Sequence, residues 1–162
     1  MVQRMMIRHW LGVLCVVVGA AGCGTEADGP PAWQNVTRVW AQSPELGGLL
    51  EQAVGAWNSA GAGVVLVIDT EGSPVRFEHE VIDPETGEYL CGSAWIPGPV
   101  LIARDIREHC AGFLSVLMHE LGHLLGIGHQ PFGLMARKAS NVTVIDGPAR
   151  AALCERFICD HE

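Results

Sequence analysis

The chain has 162 residues, 49% of them hydrophobic and 17% charged, with a formal net charge of −8. That length suits one domain, and that apolar content is enough to bury a core, which excludes a chain disordered throughout. The acidic balance argues against nucleic acid as a partner, because a phosphate backbone calls for a basic face.

Arg4 and Arg8 precede an apolar run from Trp10 to Ala21 that ends in the small residues Ala20, Ala21 and Gly22. A positive start, a short greasy run and a small-residue end read as a secretory signal peptide over residues 1–22. The run is well short of the roughly 20 residues a membrane-crossing helix requires. Ala20-Ala21-Gly22-Cys23 resembles a bacterial lipobox. That resemblance implies cleavage before Cys23, a lipid on its sulfur, and a membrane anchor outside the cytoplasm, with plain secretion as the alternative. Loss of residues 1–22 removes two arginines and no acid, so what remains is more negative still. Residues 23–35 are polar and rich in Pro and Gly and read as a flexible tether to a body over residues 36–162.

Six cysteines are present. Cys15 leaves with the signal and Cys23 takes the lipid, which leaves Cys91, Cys110, Cys154 and Cys159 to pair in an oxidising compartment. Three connectivities are open, and nearness along the chain prefers Cys91 with Cys110 and Cys154 with Cys159.

In chain order, Val36 to Ala41 carries the β-branched and aromatic content of a strand. Ser43-Pro44-Glu45 then starts a helix, with Pro44 at its first position. It extends to about Ser59 and buries Leu46, Leu49, Leu50, Ala53 and Trp57. Val64 to Ile68 is an unbroken apolar run and reads as a strand buried on both faces. Val75 to Ile82 and Glu88 to Trp95 read as two strands joined through the turn-rich Asp83 to Gly87. Val100 to Ile106 adds a fifth. A helix over Phe113 to Leu125 follows, then an irregular stretch to Asp146 and a last helix from Pro148 to Phe157. The pattern is a mixed α/β domain.

The helix over Phe113 to Leu125 carries the chemistry. At about 100° per residue, His123 lies about 40° from His119, so the two imidazoles share a face one turn apart. Leu114, Leu117, Leu121, Leu124 and Leu125 fall on the far side and form a core face. Glu120 lies at about 100°, within reach of a metal-bound water without displacing a histidine. Gly126 can take the left-handed conformation that ends a helix, which lets His129 swing back toward the same point. Three neutral imidazoles with no cysteine suit Zn2+, with a fourth position left for water, and Glu120 suits a general base.

His119 to His129, together with Met135 six residues further on, matches H-E-x-x-H-x-x-G-x-x-H and a following Met-turn. In this the chain resembles the metzincin zinc metalloproteases, and most of all their matrixin-like members. The resemblance implies zinc ligands His119, His123 and His129, general base Glu120, and Met135 as a hydrophobic floor beneath the metal. It also implies a twisted mixed sheet whose antiparallel edge strand lines the cleft and pairs with extended peptide substrate. The stretch from Gln130 to Leu134 is shorter than matrixins usually have, and Ala136-Arg137 stands where Tyr-Pro is common.

The remaining candidates have plainer readings. His79, His109 and His161 lack ligand spacing and read as exposed or locally bonded side chains. Tyr89 reads as strand packing, with an oxyanion role as the other option. Asp83 to Glu88 reads as an acidic turn without an EF-hand layout. Asn35 and Asn141 begin N-x-[ST] sequons that carry no weight in a bacterial lipoprotein. The expected function is zinc-dependent hydrolysis of peptide bonds in a peptide or protein substrate. The alternative is a lipoprotein whose metzincin-like domain binds zinc or a protein without turnover.

Overall fold

The structure is a computed structural model that describes residues 36–159 except Ile106 and Ala139. The signal over 1–22, the lipid site at Cys23, the tether over 23–35, Asn35 and His161 lie outside the described residues. Among the described residues no helix is long and apolar enough to cross a membrane.

Strand β1 (Thr37–Ala41) leads into helix α1 (Pro44–Asn58), which begins at Ser43 with Pro44 in its first turn. The helix buries Leu46, Leu50, Ala53, Val54 and Trp57, a stripe at helical spacing; Leu49 sits at its half-buried margin. Strand β2 (Leu66–Ile68) returns parallel to β1 with Thr37 opposite Leu66. Asn58 clamps the joint, accepting from the Val65 and Leu66 amides at 2.9 Å and donating to the Leu66 carbonyl at 2.8 Å.

Next come β3 (Ser73–Glu78), β4 (Val81–Ile82), β5 (Tyr89–Leu90), β6 (Gly92–Ala94) and β7 (Val100–Ala103). The main sheet runs β2-β1-β3-β7-β6 and is parallel except for β6, an antiparallel edge strand. Strands β4 and β5 form a separate antiparallel ribbon. The domain is thus mixed α/β with a mixed sheet.

Three strand expectations are corrected. The run from Val64 to Ile68 is not buried on both faces: β2 is the outer strand opposite β6, and Val64 and Ile68 are 61% and 50% exposed. The strand covered on both sides is β7, where Val100 and Ile102 join the main core and Leu101 and Ala103 pack with Val81, Tyr89 and Leu90 of the ribbon. An apolar run reports burial in general and carries no information on its place in a sheet. The two long strands around the Asp83 turn are each divided, and β3 and β6 never meet because β7 lies between them. Only the turn-proximal pieces pair as a hairpin. The fifth strand stops at Ala103.

Helix α2 (Phe113–Leu124) packs on β6, β7 and α1, while α1 packs on β1 and β2, so the core lies between one sheet face and both helices. The Trp57 indole donates to the Met118 carbonyl at 3.0 Å within that core, satisfying a polar group that burial would otherwise penalise. Helix α3 (Gly147–Cys154) is shorter than expected, ending before Phe157.

Disulfides join Cys91 to Cys110 and Cys154 to Cys159, as nearness along the chain favours. The first spans 19 residues and ties the start of β6 to the approach of α2. Loop-closure entropy for that span is about 3 kcal/mol. A Cys91→Ser/Cys110→Ser variant is expected to lose that much in urea unfolding, more than the equivalent change at Cys154 and Cys159, whose separation is 5.

Candidate metal centre

His119 and His123 stand one turn apart on α2, with buried leucines opposite. The helix ends at Leu125, and Gly126 follows with φ +78°. The Gly126 amide bonds the His123 carbonyl at 2.8 Å and the Ile127 amide bonds the Gly122 carbonyl at 2.9 Å. This is the paired closure of a Schellman end, which a left-handed glycine permits. The chain turns there, and His129 comes back to the other two rings.

The Nε2 atoms of His119 and His123 lie 3.0 Å apart, and those of His123 and His129 lie 3.2 Å apart. Two of the rings are oriented from behind. His119 Nδ1 meets the Leu134 carbonyl at 2.7 Å, and His123 Nδ1 meets the Ile127 carbonyl at 2.8 Å. A carbonyl oxygen only accepts, so each Nδ1 carries the hydrogen and each facing Nε2 presents a lone pair. Lone pairs held so close repel unless a cation lies among them. Ligands at 2.0–2.1 Å from a tetrahedral zinc sit about 3.3 Å from one another, close to the separations here. The donor set therefore fits a divalent ion, and the three histidines form a group able to hold one. Burial holds the His119 imidazole down to about 4, so it stays neutral and able to ligate near neutral pH. His129 is lowered by burial first, then by His123 and Arg137.

Glu120 is buried, at 6% exposure, yet borders the same cavity as the three rings, a space of about 920 Å³. Burial alone pushes its carboxyl up to about 8. Edge strand β6 passes directly over it: a side chain at Gly92 would sit 2.9 Å from Glu120 Oε1 and 2.8 Å from Val116 Cγ1. Only a residue without a Cβ lets the strand approach this closely.

Met135 is fully buried and packs against Gly122, on the helix turn between His119 and His123. The short segment before it is compact: the Gln130 amide bonds the Met135 carbonyl at 2.8 Å. The Tyr89 hydroxyl donates to the Asp105 carbonyl, and its ring packs with Leu101 and Ala103 of β7. His109 stacks edge-on against that tyrosine, 5.8 Å between centroids, and lies beside the Cys91–Cys110 bridge, whose sulfurs are bonded to each other.

Sequence reasoning passed over Asp146. Its Oδ1 accepts from the Ala149 amide at 3.0 Å, capping α3, and its Oδ2 accepts from the Leu134 amide at 2.6 Å. Leu134 is the residue whose carbonyl orients His119. Asp-Gly-Pro at 146–148 has the pattern of a helix start, but nothing in it points to Leu134. Asp146→Ala is expected to cost about 1 kcal/mol as a lost cap and to weaken metal binding through Leu134 and His119 by less than the about 10–100-fold expected for a ligand's direct partner. Urea unfolding and competition against a chromogenic chelator read the two effects separately.

The buried acid and imidazole give the chelated protein a distinctive pH response. Glu120 is protonated in the fold and ionises from 4.5 upward when unfolded, so its contribution declines as pH rises toward about 8. His119 is neutral in the fold and protonates below 6.5 when unfolded, so its contribution declines as pH falls toward about 4. Between 4.5 and 6.5 the two slopes oppose; above 6.5 only that of Glu120 remains. Stability is expected to drop by about 2 kcal/mol from pH 6.5 to about pH 9 in chelator, and Glu120→Gln should abolish that drop.

No family model matches the chain, and no curated protein matches it either.

Proposed function

We propose that the protein is a zinc-dependent endopeptidase of metzincin type that cuts extended peptide segments. The observation that carries this reading is the convergence of three imidazole nitrogens beside a buried carboxylate at the floor of one cavity. His119, His123 and His129 would hold the ion. Zinc in that position supplies a Lewis acid that lowers the pKa of a water to about 7, polarises a carbonyl oxygen, and by its charge favours the ionised form of Glu120.

Glu120 takes the proton from the attacking water, whose oxygen then bonds to the peptide carbonyl carbon. As the C–N bond breaks, the same carboxyl returns the proton to the departing amine. Helix α2 holds Glu120 in place, with β6 closing over it and shielding it from bulk water. Among the described residues strand β6 has β7 on one side and no strand on the other, so its backbone edge suits pairing with an extended peptide. The signal and lipid readings of residues 1–22 and Cys23 add export and a membrane anchor.

The test is casein or gelatin hydrolysis by the protein with and without chelator, beside Glu120→Ala. Hydrolysis that disappears in both controls supports the peptidase. One equivalent of zinc bound with no cleavage of any peptide library would assign the chain to the non-catalytic alternative. Absence of labelled fatty acid on the protein expressed in a bacterial host would remove the anchor at Cys23.

A further inference from the structure

We infer that the cavity selects peptides that place an acidic side chain against Arg137 and Lys138; this rests on the peptidase reading and assigns it a substrate class. The placement of those two residues follows from α2. Ser115 and Val116 are consecutive on that helix and so point about 100° apart. The Ser115 hydroxyl bonds the carbonyls of Ser140 and Val142, while Val116 lies against Gly92 of β6. The helix is therefore a floor with two walls, one built from the segment after Met135 and the other from β6 and the β4–β5 ribbon.

The walls carry opposite charge. Arg137 and Lys138 are adjacent, exposed, and line the same cavity as the three histidines. Four other arginines are already engaged: Arg38 with Asp69, Arg76 with Glu78, Arg104 with Glu45 and Arg107 with Glu80. Arg150, which donates to the Ala60 carbonyl at 3.0 Å, and Arg156, which lies against Gly126, form no salt bridge among the described residues, but neither lines the cavity. Among the described residues Arg137 and Lys138 have no acidic partner, although the chain as a whole carries net charge −8.

On the opposite wall the lining acids are Asp83 and Glu88. Asp83 is tied to its own turn, accepting from the Glu85 amide at 2.8 Å and the Thr86 amide at 3.2 Å. Glu88 is exposed. An acidic substrate side chain is repelled by that ribbon and drawn to the cationic wall, so charge sets which way the side chain points as well as how strongly the peptide binds. The attraction lies at the cavity mouth and is open to screening by salt.

The test uses peptides identical except for Glu or Gln, scanned through three positions on each side of a cleavable bond. The zinc-loaded protein and Arg137→Ala/Lys138→Ala are compared by kcat/KM. The same peptides are titrated by fluorescence anisotropy against zinc-loaded Glu120→Gln, with and without the two alanine changes. The expected result is a preference for Glu of about two- to fivefold at one position, reduced by high salt, with the Glu-to-Gln ratio near one when both cations are removed. Equal handling of Glu and Gln peptides at every position would overturn the inference, as would a preference that survives loss of both cations. If no peptide is hydrolysed the peptidase reading fails, and the anisotropy ratios still decide the charge selection.

Discussion

Glu120→Gln is expected to lower peptide hydrolysis by about 10²–10⁴-fold, the span assigned to a positioned general base. Gln keeps the shape and most of the packing of Glu beneath β6, so the loss isolates proton transfer from architecture. Zinc content should stay at one equivalent, because the three converging nitrogens belong to other side chains. Because burial already favours the uncharged carboxyl, the variant should also be at least as stable as the parent in chelator. Single-turnover hydrolysis, metal analysis and urea unfolding on one preparation check all three. Full activity in the variant would remove Glu120 from the reaction.

His123→Ala is expected to reduce both metal affinity and hydrolysis. His123 is the shared vertex of the cluster, with its Nε2 3.0 Å from one ring and 3.2 Å from the other. Loss of a direct donor should exceed the about 10–100-fold expected when only a supporting hydrogen bond is removed. The fold should survive, since Leu117, Leu121 and Leu124 hold α2 from its opposite face. Competition with a chelator gives the affinity and circular dichroism the fold. Wild-type zinc affinity in this variant would show that the ion, if bound, is held elsewhere. Glu120→Gln separates chemistry from binding, whereas His123→Ala removes both.

The helices were legible because their information is local. Ser43-Pro44-Glu45 begins α1, the stripe from Leu46 to Trp57 buries it, and the interval from His119 to His123 puts two rings on one face. Gly126 could be read as the break because no other residue takes φ +78° so easily. The division of the strands was not legible: β7 lies between β3 and β6 while β4 and β5 pair apart from the main sheet, a pairing set by chain segments distant in sequence.

By itself the sequence determined which residues could act and on which helix face they stand, since periodicity and a glycine break are short-range properties of the backbone. The tertiary structure alone decided that His129 closes on the other two rings, that Leu134 and Ile127 lend their carbonyls, that Asp146 steadies Leu134, and that Gly92 lets β6 lie over Glu120. Those contacts join elements far apart along the chain, and a carbonyl or an amide looks the same at every position until the fold aims it.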